Sequence, residues 1–106
     1  MATLLGLLLS SCESAADPGD KELMDLGRSV FSELAVPSCA TCHALREADA
    51  TGSTGPNLDE LRPSMERVRL AVSDGLGVMP AQSGHLTDQQ IHAVAYYVAR
   101  TTSSID

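Results

Sequence analysis

The sequence predicts an all-α domain built on three principal helices. Apolar residues recur at helical spacing in three separate stretches. Thr87-Asp88-Gln89-Gln90 spells a capping box at the head of the last stretch. No segment of comparable length alternates apolar and polar residues, so no strand pattern competes. The 106 residues are enough for one domain.

The elements follow in chain order. Residues 1–11 read as a signal peptide of the lipoprotein type. Leu4-Leu5-Gly6-Leu7-Leu8-Leu9 is an apolar run too short to span a bilayer but suited to an export signal. No Lys or Arg precedes it, a departure from the usual signal pattern. Leu9-Ser10-Ser11-Cys12 resembles a bacterial lipobox, in which the Cys is lipidated and becomes the mature N-terminus. A plain secretory signal with Cys12 incidental is the competing reading. Either way the chain is expected outside the cytoplasm, on the periplasmic face or cell surface. Residues 12–19 are small and breaker residues and read as a tether, leaving 20–106 as the folded domain.

The first helix is expected from Asp20, a good N-cap residue, with Leu23, Leu26, Val30, Phe31 and Leu34 on its apolar face. Pro37 stops it, because the residue before a proline avoids the helical region. Gly27 lies mid-helix, at a cost of about 1 kcal/mol relative to Ala, which points to close approach of another backbone. The stretch from Ala44 to Asn57 is rich in Gly, Ser, Thr and Asp and reads as loop. A middle helix is expected from Ser64 to Asp74, with Leu61, Met65, Val68 and Val72 as one stripe and Gly75 as C-cap. The last helix follows the capping box. Leu86 and Ile91 supply its hydrophobic staple, and Ile91, Val94, Ala95 and Val98 its buried face, with Tyr97 beside them.

Composition adds a constraint. Phe31, Tyr96 and Tyr97 are the whole aromatic supply, and there is no Trp. A chain this short and ring-poor needs a disulfide, metal or cofactor as a staple. The three cysteines, Cys12, Cys39 and Cys42, make no even framework of distant pairs. Fourteen Asp and Glu against seven Lys and Arg make the chain acidic, which argues against nucleic acid and suits solubility or a basic partner.

Cys39-Ala40-Thr41-Cys42-His43 supplies the staple. The Cys-x-x-Cys-His sequence attaches haem covalently. Two thiols at this spacing reach two vinyl groups on one haem edge, and the following His43 presents its imidazole to the iron. A zinc site would need further Cys or His at matched spacing, and only Cys12, His85 and His92 remain. A thioredoxin-like pair would need strand–helix alternation, and a disulfide loop would leave His43 unexplained.

Met79 is the expected second axial ligand. It sits in Gly75-Leu76-Gly77-Val78-Met79-Pro80, where two glycines permit tight backbone approach and Pro80 stiffens the far side. Met24 and Met65 fall within helical patterns, and Met65 is expected in the core. His85 is the rival ligand, and His92 is expected on the surface or propionate side. The Pro56 carbonyl is the expected acceptor for the other ring nitrogen of His43. Arg62, Arg67 and Arg69 are candidate propionate partners.

With these residues in view, the chain resembles the class I c-type cytochromes from Asp20 to Thr101. Gly27 and Phe31 match the family's Gly-x-x-x-aromatic pattern. Cys39, Cys42 and His43 match the attachment motif, and Gly55-Pro56-Asn57-Leu58 the Gly-Pro-x-Leu segment. Val78-Met79-Pro80 matches the methionine loop, and Leu86 to Val98 the final helix. The resemblance implies the cytochrome c fold: three to five helices around one haem c held by two thioethers, the first and last helices crossing near Gly27. It implies a one-electron carrier with His/Met-ligated iron, not an enzyme. Its expected partners are a quinol-oxidising complex, a terminal oxidase or a periplasmic dehydrogenase, with the membrane engaged through Cys12. The alternatives are a haem c subunit of a periplasmic oxidoreductase, or a haem protein that binds a small ligand or peroxide.

Overall fold

The computed structural model describes residues 18–102. The signal segment, Cys12 and most of the tether lie outside the described residues. Within them the chain runs α1 (Pro18–Ser29), a π-helical turn (Val30–Leu34), α2 (Cys39–Cys42), β1 (Ala44–Leu45), a 3₁₀ turn (Arg46–Ala48), β2 (Ala50–Thr51), α3 (Leu58–Leu61), α4 (Met65–Asp74) and α5 (Asp88–Thr102). The all-α architecture expected from the sequence is the architecture found, with one short two-stranded hairpin added.

Helix α1 begins two residues before the expected Asp20. Proline is tolerated in a first helical turn, where its missing N–H would be unpaired anyway. Asp20 therefore lies inside that turn and is not the cap. Its carboxylate reaches across to α5, accepting from Arg100 Nη1 at 3.1 Å and from the Tyr96 hydroxyl. The helical path ends at Ala35, whose ψ of 149° is extended, two residues before Pro37.

Gly27 marks the contact between α1 and α5. A Cβ there would lie 2.4 Å from both the Ala93 carbonyl oxygen and Tyr97 Cβ. Only hydrogen fits, so the two backbones approach as the mid-helix glycine predicts. Phe31 then meets Tyr97, ring centroids 6.0 Å apart and tilted by 59°. Val30, Phe31, Leu45, Val94, Tyr97 and Val98 form the fully buried centre. Each of the large side chains contributes roughly 1.5–3 kcal/mol through burial.

The capping box at the head of α5 forms in both directions. Thr87 N–H donates to Gln90 Oε1 at 2.8 Å, and Gln90 N–H donates to Thr87 Oγ1 at 3.1 Å. The staple residues Leu86 and Ile91 are both buried in the core.

Three further expectations need correction. The stretch from Ala44 to Asn57 is not all loop: β1 and β2 pair antiparallel, Ala44 opposite Thr51 and Leu45 opposite Ala50. Two-residue strands are too short to show a period of two. Leu61 does not extend the stripe of the middle helix either. Asn57 caps a separate α3, accepting from Asp59 N–H at 2.9 Å and Glu60 N–H at 3.3 Å. Arg62, at a φ of 51°, and Pro63 then break the chain before Ser64 caps α4. Met65 is only partly buried and stands apart from the core cluster.

Candidate functional site

The attachment motif folds as a single helical turn. Residues three apart share a helix face, so α2 brings Cys39 and Cys42 to the same side. Both thiols are free, and both line a cavity of about 290 Å³. Desolvation against that cavity pushes the Cys39 thiol up to about 11, so it stays protonated at neutral pH.

Position 43 ends the turn, its N–H donating to the Cys39 carbonyl at 3.0 Å, and its extended backbone breaks the helix. His43 Nδ1 lies 2.8 Å from the Pro56 carbonyl oxygen. A carbonyl only accepts, so Nδ1 carries the proton and Nε2 keeps the lone pair. This is the tautomer that a metal-binding histidine needs.

Two glycines bring the Pro56 loop onto the motif: Gly55, which heads the matched Gly-Pro-x-Leu segment, and Gly52, which the sequence reading passed over. A Cβ at Gly52 would strike the Cys42 carbonyl carbon at 2.6 Å and the Thr41 carbonyl oxygen at 2.7 Å. A Cβ at Gly55 would lie 2.7 Å from His43 Cε1. Gly55 N–H also donates to the Cys42 carbonyl at 2.7 Å. The sequence signal was the pair of glycines after Cys-x-x-Cys-His, which composition alone reads as loop.

Opposite this wall lies the methionine loop. Gly75 caps α4 at φ 80°, ψ 167°, a conformation that favours glycine. Leu76 and Met79 then exchange backbone hydrogen bonds of 3.0 and 2.9 Å, closing a tight turn over Gly77 and Val78. Met79 lines the cavity and packs against the core. Met24 and Met65 do not line it. The rival His85 is occupied elsewhere, its Nε2 donating to the Leu34 carbonyl at 3.0 Å. His92 is exposed on α5.

The rest of the cavity wall is mostly apolar, with Phe31, Leu58, Val68, Val72, Val94 and Val98 contributing from four elements, and Ser38, Thr54, Arg67 and Gln82 as its polar members. Of the candidate arginines, Arg67 lines the cavity, while Arg69 is paired with Glu66 at 2.7 Å. Arg62 lies outside the wall. Among the described residues no group of three or more His, Cys, Asp or Glu is placed to hold a metal ion. One imidazole in the ligating tautomer, one thioether, two thiols on one face and an apolar slot between them fit a haem.

Three comparisons bear on this site. The family model described as cytochrome C oxidase, cbb3-type, subunit III matches residues 22–98. Cytochrome c6 of Leptolyngbya boryana is 35% identical over 65 residues, covering 58% of this chain and 76% of that protein. Cytochrome c6 of Microcystis aeruginosa is 33% identical over 76 residues, covering 68% of this chain and 89% of that protein. The crystal structure of the c-type cytochrome SorU from Sinorhizobium meliloti superposes with a TM-score of 0.75 at 50% identity. It covers 77% of this chain and 93% of that one.

Proposed function

The chain belongs to the c-type cytochromes, carrying the domain of cytochrome c oxidase, cbb3-type, subunit III over residues 22–98, and from that premise we propose an exported one-electron carrier with a single haem c. Membership makes it an electron-transfer protein with covalently bound haem and redox protein partners. The finer reading is ours: Cys39 and Cys42 would hold the haem through thioethers, and His43 and Met79 would ligate its iron.

The observation that carries this reading is the 2.8 Å contact between His43 Nδ1 and the Pro56 carbonyl. It fixes the imidazole and leaves Nε2 free to ligate, in a cavity that the Met79 thioether also lines. The bound haem supplies a one-electron iron couple. A thioether at position 79 raises its potential relative to nitrogen ligation. Two protein ligands leave no position for a substrate, which favours carriage over catalysis. Apolar side chains stand exposed at the cavity mouth, Leu76 at 69% and Val78 at 92%, and suit the small, transient encounters of electron transfer.

We place the protein outside the cytoplasm, anchored through lipid on Cys12 with a short tether, since the segment before Glu13 has the lipobox pattern. Its partners belong to three classes: a quinol-oxidising complex, a terminal oxidase or a periplasmic dehydrogenase. The family's description supports a second reading, a haem c subunit of an oxidoreductase. Recovery in fixed ratio with a larger catalytic chain would favour the subunit.

One set of measurements on the protein purified from membranes tests the proposal. Intact mass should show one haem and a lipidated Cys12, and a redox titration should show one one-electron step. Met79→Ala should keep the covalent haem, lower the potential and open the iron to carbon monoxide. An unlipidated mass refutes the anchor, and a Met79→Ala spectrum identical to wild type refutes the ligand assignment.

A further inference from the structure

The loop that carries Met79 is weakly anchored by its own burial. Leu76 and Val78 face solvent, and Pro80 and Ala81 are exposed as well. The chain regains the interior at Gln82, three residues after Met79, where the side chain is only 5% exposed. Gln82 Oε1 accepts from the Val36 N–H at 3.3 Å, and Gln82 Nε2 donates to the Val36 carbonyl at 2.9 Å. Its own N–H donates to Val72 in α4 at 2.8 Å. Its carbonyl accepts from His85 N–H at 2.9 Å and Leu86 N–H at 2.7 Å, at the approach to α5.

Val36 is the other half of the argument. It lies three residues before Cys39 and is 64% exposed, so the buried Gln82 amide is tied to a segment that its own burial does not hold. The pairing satisfies both polar atoms of the buried Gln82 amide. Freezing a long amide side chain costs conformational entropy, and that cost offsets much of the gain from two neutral hydrogen bonds. What the pairing fixes is geometry: one planar amide sets the separation between the end of the methionine loop and the segment that enters the attachment turn.

We propose that Gln82 is a positioning residue that acts through Met79. By clamping Val36 it holds the Met79 thioether at the separation from the Cys39–His43 turn that bonding to the iron requires. The proposal rests on Met79 being the second axial ligand.

The test compares ferric and ferrous holoprotein for wild type, Met79→Ala and Gln82→Leu. Gln82→Leu should keep its haem but lose much of the long-wavelength sulfur-to-iron absorption. Its ferrous form should bind carbon monoxide about tenfold faster than wild type, the population change expected when one such pairing is lost. Wild-type absorption and ligand-binding rate in Gln82→Leu would overturn the proposal. If that variant does not accumulate as holoprotein, Met79→Ala carries the test through reciprocity. Loss of the ligand should loosen the clamp and speed hydrogen exchange at the Val36 amide about tenfold. An unchanged exchange rate is the contrary result. A Met79→Ala spectrum matching wild type would sink the ligand reading and this proposal together. A changed Met79→Ala spectrum beside an unchanged Gln82→Leu would sink the positioning role alone.

Discussion

Tyr97 shows how one side chain carries two duties. Its ring is buried against Phe31, while its hydroxyl donates to Glu47 Oε1 at 2.5 Å. Arg28 pairs with the same carboxylate and lies 5.8 Å from the Tyr97 ring centroid. Burial, then the hydrogen bond to Glu47 and the Glu47 charge, raise the Tyr97 hydroxyl above its ordinary value of 10. Burial works against the Glu47 charge, but the hydrogen bonds from Tyr97 and Arg28 outweigh it and hold Glu47 below 4.5. The signs follow. The raised Tyr97 contributes stability that is complete below pH 10 and is lost as pH rises through its folded value. The depressed Glu47 contributes above its unfolded value and loses that contribution as pH falls through its folded one. Tyr97→Phe keeps the ring and should cost about 1 kcal/mol near neutral pH, the low side for a charged acceptor because Glu47 is partly solvated. Urea titrations above pH 10 should show wild type weakening more steeply than the variant; parallel curves would contradict the assignment. Residues of this kind were only half legible. Tyr97 was readable as the aromatic on the last helix. Its partnership with Glu47, like Gln82 with Val36, joins positions far apart in sequence, and no local pattern records it.

At the level of elements, α1 and α5 form the frame on which the cavity is built. Gly27 sets their separation, and Asp20 with Tyr96 and Arg100 ties the first turn of α1 to the last turns of α5. Gly27→Ala puts two effects in opposition. Helix propensity gains about 1 kcal/mol. Overpacking costs about 1–3 kcal/mol, and here the obstacles are a main-chain oxygen and a Cβ, neither a flexible tip. The steric cost should win, lowering the denaturation midpoint in urea; an unchanged or higher midpoint would show that the helices separate freely. This frame was legible because its signals are local or periodic: the Thr87–Gln90 box closes within one turn, and the face of α5 repeats at helical spacing. The hairpin of β1 and β2 and the short α3 left no such trace. Four residues or fewer hold no period, and α3 is set by a cap at Asn57 and the break at Arg62 and Pro63.

For the whole molecule, the decisive quantity is the mismatch between the protein's own core and the space it encloses. Only Phe31 and Tyr97 bring fully buried rings, yet the fold surrounds a cavity of about 290 Å³. That cavity opens to solvent beside Leu76 and Val78, so its apolar walls stand against water until a group covers them, and covering them is favourable at about 25 cal/mol per Å². The five-residue motif was legible at this scale because it fixes both the chemistry and the bulk of what must fill the space. The ring-poor composition is then the expected counterpart of a large planar group. Removing the group should therefore remove the fold's cooperativity as well as its redox activity. Cys39→Ala with Cys42→Ala, isolated without haem, should keep part of its far-ultraviolet helical signal. It should lose its near-ultraviolet signal and sharp thermal transition, because α1 and α5 still bury a joint face while the wall contributed by α3, α4 and the methionine loop has nothing to pack against. A cooperative transition at the midpoint of the haem-bearing protein would mean that the chain closes the space by itself, and that the cavity is not what sets its stability.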